Sequence, residues 1–75
     1  MSNINWNELL KNCDYTDLKH KKDSLYDYII GELNRISVSD DFTEKEYLFN
    51  CLKKNIEYYY KYSVECTKII LSYKE

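Results

Sequence analysis

The sequence predicts an all-α fold: a short N-terminal helix and a long antiparallel helical hairpin, completed by dimerisation into a small helical bundle. Three observations carry that expectation. Proline is absent and Gly31 is the only glycine, so little interrupts long helices. Apolar residues recur at spacings of three and four over long windows. Polar clusters with capping character stand at two places, Cys13-Asp14-Tyr15-Thr16 and Ser37-Val38-Ser39-Asp40-Asp41. They divide a single domain, 1–75, into segments with helices expected at 6–12, 17–36 and 44–73.

The first segment opens with Asn5 as N-cap and Glu8 placed to complete a capping box. Trp6, Leu9, Leu10 and Cys13 fall at i, i+3, i+4 and i+7, one face of a helix too short to stand alone. It must dock on a neighbour. The second segment takes Asp14 or Thr16 as its cap. At roughly 100° per residue, Leu18, Leu25, Tyr26, Ile29, Ile30, Leu33 and Ile36 gather on one side, with Asp23, Asp27, Gly31 and Asn34 opposite.

The third segment opens at Thr43-Glu44-Lys45-Glu46, which reads as a capping box. Within it, Ile56-Glu57-Tyr58-Tyr59-Tyr60-Lys61-Tyr62-Ser63-Val64 alternates locally like a half-buried strand. The wider window favours a helix, because Asn50, Lys54, Glu57, Lys61, Lys68 and Ser72 form one polar stripe and no turn residues flank the alternation. Leu48, Cys51, Leu52, Ile56, Tyr58, Tyr59, Tyr62, Cys66, Ile69, Ile70 and Tyr73 then make a broad apolar arc suited to the second helix. A second ridge, Phe49, Tyr60, Val64 and Leu71, lies beside it. Arc and ridge cover roughly two thirds of the circumference, more than the stripe of about 100° that one neighbour occupies. The third helix is therefore expected to have at least two neighbours. The short helix covers part of the ridge; a second copy or another protein covers the rest, unless the tyrosines stay half exposed with wetted hydroxyls.

Composition limits the function classes. With 44% hydrophobic and 32% charged residues the chain is expected to fold, and a net charge of −2 disfavours direct nucleic-acid binding through phosphate neutralisation. The apolar runs are too short for a membrane span. Cys13, Cys51 and Cys66 form no CxxC pair and His20 is the only histidine, so neither a metal site nor a catalytic pair is expected. A single glycine excludes P-loop and GxGxxG motifs, and the expectation is no cofactor and no enzymatic activity. Abundant Lys, Asn, Tyr and Ile with a single arginine, Arg35, match the codon bias of AT-rich genomes. That points to the cytoplasm of a low-GC bacterial host, or to a phage or mobile element within one.

The expected function is thus a small protein-binding inhibitor or regulator, for instance an anti-CRISPR-like anti-defence factor, acting on a larger protein and itself a homodimer. Its candidate contacts are the ridge Phe49, Tyr60, Val64 and Leu71 and the acidic residues Asp40, Asp41, Glu44 and Glu46, with Asp14 and Asp17 able to extend a nucleic-acid-mimicking surface. One alternative is an oligomeric nucleotide-sequestering protein, using tyrosine stacking and phosphate contacts from Lys19, His20, Lys21 and Lys22. A structural or DNA-associated helical dimer is the other.

Overall fold

A computed structural model describes residues 3–75. Three helices follow one another: α1 (Trp6–Leu9), α2 (Cys13–Val38) and α3 (Phe42–Ser72). The two long helices pack along each other and are joined by Ser39, Asp40 and Asp41. Contacts descend along α3 as they ascend along α2: Asn12 meets Tyr73, Lys22 lies over Tyr59, and Glu32 meets Asn55.

Helix ends follow local capping chemistry. Asn5 caps α1 as expected, its side chain accepting from the Glu8 N–H. Helix α1 ends sooner than 12, because Asn12 is itself the N-cap of α2 and accepts from the Tyr15 N–H at 2.9 Å. The break expected at Cys13–Thr16 therefore lies one turn earlier, and neither Asp14 nor Thr16 is the cap. At the other junction the cap of α3 is Asp41 rather than Thr43, with Oδ1 accepting from the Thr43 and Glu44 N–H groups. A carboxylate there also meets the positive end of the helix dipole, which favours Asp41 over a neutral threonine.

The packing between α2 and α3 has a period of seven. From Tyr15 onward, every α2 residue that is not exposed belongs to the series Tyr15, Leu18, Lys22, Leu25, Ile29, Glu32, Ile36, continued by Ser39 beyond the helix end. These steps of three and four are the a and d positions of a coiled coil. Helix α3 answers with Lys45, Leu48, Leu52, Asn55, Tyr59, Tyr62, Cys66 and Ile69 in the same rhythm, continued by Tyr73 just beyond its end, all buried or half-buried. Polar members interrupt the seam. Glu32 is only 9% exposed and accepts a hydrogen bond from the Asn55 amide; Lys22 stands 5.9 Å from the centre of the Tyr59 ring, a cation–π contact.

The best-buried cluster lies where the chain ends meet. Leu9, fully buried, packs with Tyr15 and Cys66, surrounded by Ile4, Leu18, Ile69, Ile70 and Tyr73. Ile4 and Lys74 form an antiparallel bridge, the Asn5 N–H donates to the Tyr73 carbonyl at 2.9 Å, and the Asn12 amide donates to the Tyr73 hydroxyl at 2.9 Å. These bonds tie the N-terminal segment across the end of α3.

A single seam leaves much apolar surface uncovered. Tyr26, Ile30 and Leu33, expected on the buried side of the second helix, are exposed, as are Ile56 and Tyr58 of the expected arc. Trp6 and Leu10 of α1 are exposed too. Two helices in contact bury only an a/d stripe, whereas the apolar surface of both is wider than that stripe.

Replacing Glu32 with Ala removes the partner of a half-buried amide and should lower stability by about 1–3 kcal/mol. Leu at both 32 and 55 should restore stability or raise it, because two apolar residues leave nothing unpaired. Urea denaturation of the three proteins measures this, and an equal loss in the single and double variants would contradict the role assigned to the pair.

Candidate functional site

The seam sorts the remaining side chains onto two flanks. Tyr28 precedes seam residue Ile29 and Tyr58 precedes seam residue Tyr59, and both line one groove of ≈ 380 Å³ with His20, Lys21, Ser24, Leu25 and Tyr62. Tyr26 and Ile56 instead follow the seam residues Leu25 and Asn55, so helical geometry turns them to the other flank.

The flank with Tyr28 and Tyr58 is aromatic and charged. Tyr58 and Tyr62 stack with ring centres 6.3 Å apart. Towards the interhelical turn, a groove lined by Asp27, Tyr28, Gly31, Glu32 and Arg35 continues the same surface. The Cys51 thiol, one turn along from Tyr47, raises the Tyr47 phenol above its ordinary range, with Glu32 adding to the rise and Arg35 opposing it.

The opposite flank is apolar. Phe42, Phe49, Ile56, Ser63 and Ile70 recur every seventh residue of α3, all uncharged. Phe49 and Ile56 line a shallow groove with Leu52, Lys53 and Glu57. Of the ridge expected from sequence, Phe49, Tyr60 and Leu71 are exposed and Val64 is half-buried. Tyr60 and Val64 share a second shallow groove with Ser63, Thr67 and Lys68.

The acidic candidates do not form one surface. Asp40, Asp41 and Glu44 line a groove with Arg35 at the interhelical turn, and Glu46 is exposed just beyond them. Asp14 and Asp17 stand in the first turns of α2, more than about 30 Å away along its axis. Asp41 is committed to capping. The basic run is likewise dispersed: Lys22 lies in the seam over Tyr59, Lys21 pairs with Asp17 at 3.2 Å, and Lys19 is exposed. Only His20 and Lys21 reach the tyrosine groove.

Sequence reasoning missed Glu32, Asn55, Tyr28 and Tyr47. A heptad reading of both long helices would have found the first two as polar members of the seam. Tyr28 and Tyr47 would then have followed from their places on either flank.

Among the described residues, no cluster of His, Cys, Asp and Glu side chains is arranged to hold a metal ion, and no helix is long and apolar enough to cross a membrane. No protein-family model, curated protein or solved structure matches this chain.

If Asp41 serves the fold, Asp41→Ala should cost about 1 kcal/mol while Asp41→Asn, also a good N-cap, should cost little. Thermal unfolding of both proteins measures the difference. Equal stability of D41A and the native chain would release Asp41 from its structural role.

Proposed function

We propose that this chain is a small non-enzymatic inhibitor or regulator that works by docking on a larger protein. One observation carries the reading: fourteen large hydrophobic side chains are exposed among the described residues, whereas five hydrophobic residues are buried. Extended apolar surface of this kind on a small protein marks an interaction site, because leaving it in water forgoes most of its hydrophobic stabilisation. The hairpin is read as antiparallel, which brings residues of both long helices onto each flank. Dimerisation, taken up below, completes the unit.

The AT-rich composition supports an origin in a low-GC bacterium, its phages or mobile elements, and with it an anti-defence role of the anti-CRISPR type. Docking through nucleic-acid mimicry has narrower support. The acidic group at the turn, Asp40, Asp41, Glu44 and Glu46, is compact, but Asp14 and Asp17 lie too far away to extend it.

The nucleotide-sequestering alternative has one observation in its favour, the groove that combines His20 and Lys21 with Tyr28, Tyr58 and Tyr62. Rings and cations together suit a phosphorylated planar ligand. Dispersal of the lysines around α2 gives no comparable support to a DNA-associated dimer.

The test is affinity capture from lysate of a low-GC bacterium with the native chain and a Tyr28→Ser/Tyr58→Ser variant of unchanged helicity. One larger protein retained stoichiometrically by the native chain, and at least about tenfold less by the variant, is the expected result. No retained protein, together with calorimetric binding of a nucleotide, would replace the docking reading with the sequestering one.

A further inference from the structure

We infer that a second copy of this chain covers the apolar flank, so that two hairpins form a four-helix bundle about a twofold axis. The inference rests on the reading that the exposed apolar surface is a docking surface, and it names the occupant of one flank.

The shape of the protomer is the first argument. Its radius of gyration is 16.4 Å and its extents are 52 × 20 × 17 Å, whereas a compact chain of this length has a radius of about 11 Å. The accessible surface is 5987 Å², against about 4,900 Å² for a compact monomer of 9.2 kDa. The excess, roughly 1,100 Å², exceeds the about 800 Å² that each partner contributes to a standard stable interface. A hairpin of these proportions carries enough surplus surface for a dimer.

The chemistry of the two flanks decides which one is used. Tyr26, Ile30 and Leu33 of α2 stand beside Phe49, Ile56 and Tyr60 of α3, each between 40% and 70% exposed. The seventh-residue line of α3 through this flank, Phe42, Phe49, Ile56, Ser63 and Ile70, carries no charge. Lys53 and Glu57, of opposite sign, border the groove that Phe49 and Ile56 line, and Asp23 follows Lys22 on α2. In an isologous contact each patch meets itself, so the uncharged line brings no like charges together, and the Lys53 and Glu57 beside it can pair with each other across the contact. The opposite flank carries Lys21, Asp27 and Arg35 among its tyrosines, charges that a contact between two copies would have to strip of water. That flank remains outward, available to a different protein.

The geometry also fits known bundle packing. Helices of a four-helix bundle run about 20° off parallel or antiparallel and bury a wider arc than an a/d stripe. Adding a second hairpin extends the buried arc of α3 from its seam residues through Phe49 and Ile56 to Tyr60.

Sedimentation equilibrium from about 1 to about 100 µM tests this without any partner protein, on the native chain, Ile56→Glu, Phe49→Ala and Tyr58→Glu. The expected results are a native mass of twice 9.2 kDa and a monomer for I56E. A dissociation constant raised roughly tenfold or more is expected for F49A, and an unchanged dimer for Y58E. If I56E fails to fold, F49A against Y58E decides. A monomeric native chain overturns the proposal while leaving the apolar flank free for another protein, and a dimer weakened by Y58E but not by F49A places the interface on the wrong flank. A native chain that dimerises through Phe49 yet retains no larger protein from lysate would instead count against the docking function alone.

Discussion

Where Glu32 and Asn55 meet inside the seam, the chain has placed a carboxylate and an amide at positions that a coiled coil ordinarily gives to Leu, Ile or Val. Shifting α3 by one heptad against α2 would bring Glu32 opposite Leu48 or Tyr62 and leave both polar groups without each other. Every other contact between the long helices depends on that alignment. It sets the Tyr26 ring tilted against Tyr59, holds Lys22 over the same ring and delivers Tyr73 to Asn12 at the far end. The polar pair thus buys register at the expense of apolar burial, a use of buried polar groups established in coiled coils.

From that alignment follows the division of labour between the flanks. A pair of helices encloses one line of side chains, and this seam spends part of that line on polar residues. What remains buried is a narrow stripe, thickest where α1 and the chain ends close over Leu9, Tyr15 and Cys66. The surplus apolar residues are sorted by their position relative to the seam. Those following Leu25 and Asn55 make an apolar flank, and those preceding Ile29 and Tyr59 make a flank of tyrosines with cations among them. The proposed arrangement assigns the first surface to a copy of the chain and the second to a different protein.

Much of the fold was legible in the residues. The missing proline, the apolar spacing of three and four and the capping role of Asn5 all led to helices that form. The tyrosine-rich run from Ile56 to Val64 is helical as the wider polar stripe required, despite its local alternation. The caps at the two junctions were misread by a few residues because several Asn, Asp, Ser and Thr side chains stand close together there. Which of them turns back to a free N–H depends on the path of the chain. The buried faces were drawn too wide because Lys22, Glu32, Lys45 and Asn55 look like solvent-facing residues and conceal the seam. Once those four are admitted to it, Tyr26, Ile30, Leu33 and Ile56 fall outside. Of the candidate contacts, the turn acidics stay together while the basic run separates around α2. A linear cluster of four on a helix necessarily points in four directions.

Association coupled to folding would make the stability of this chain depend on its concentration, because mass action favours the folded dimer over unfolded chains. Thermal unfolding followed by circular dichroism over about a hundredfold range of concentration reads that coupling directly. A Tm that climbs with concentration is the predicted result. A Tm that stays constant over the whole range would show that the hairpin stands alone, and would contradict the view that its open apolar flank is half of an interface.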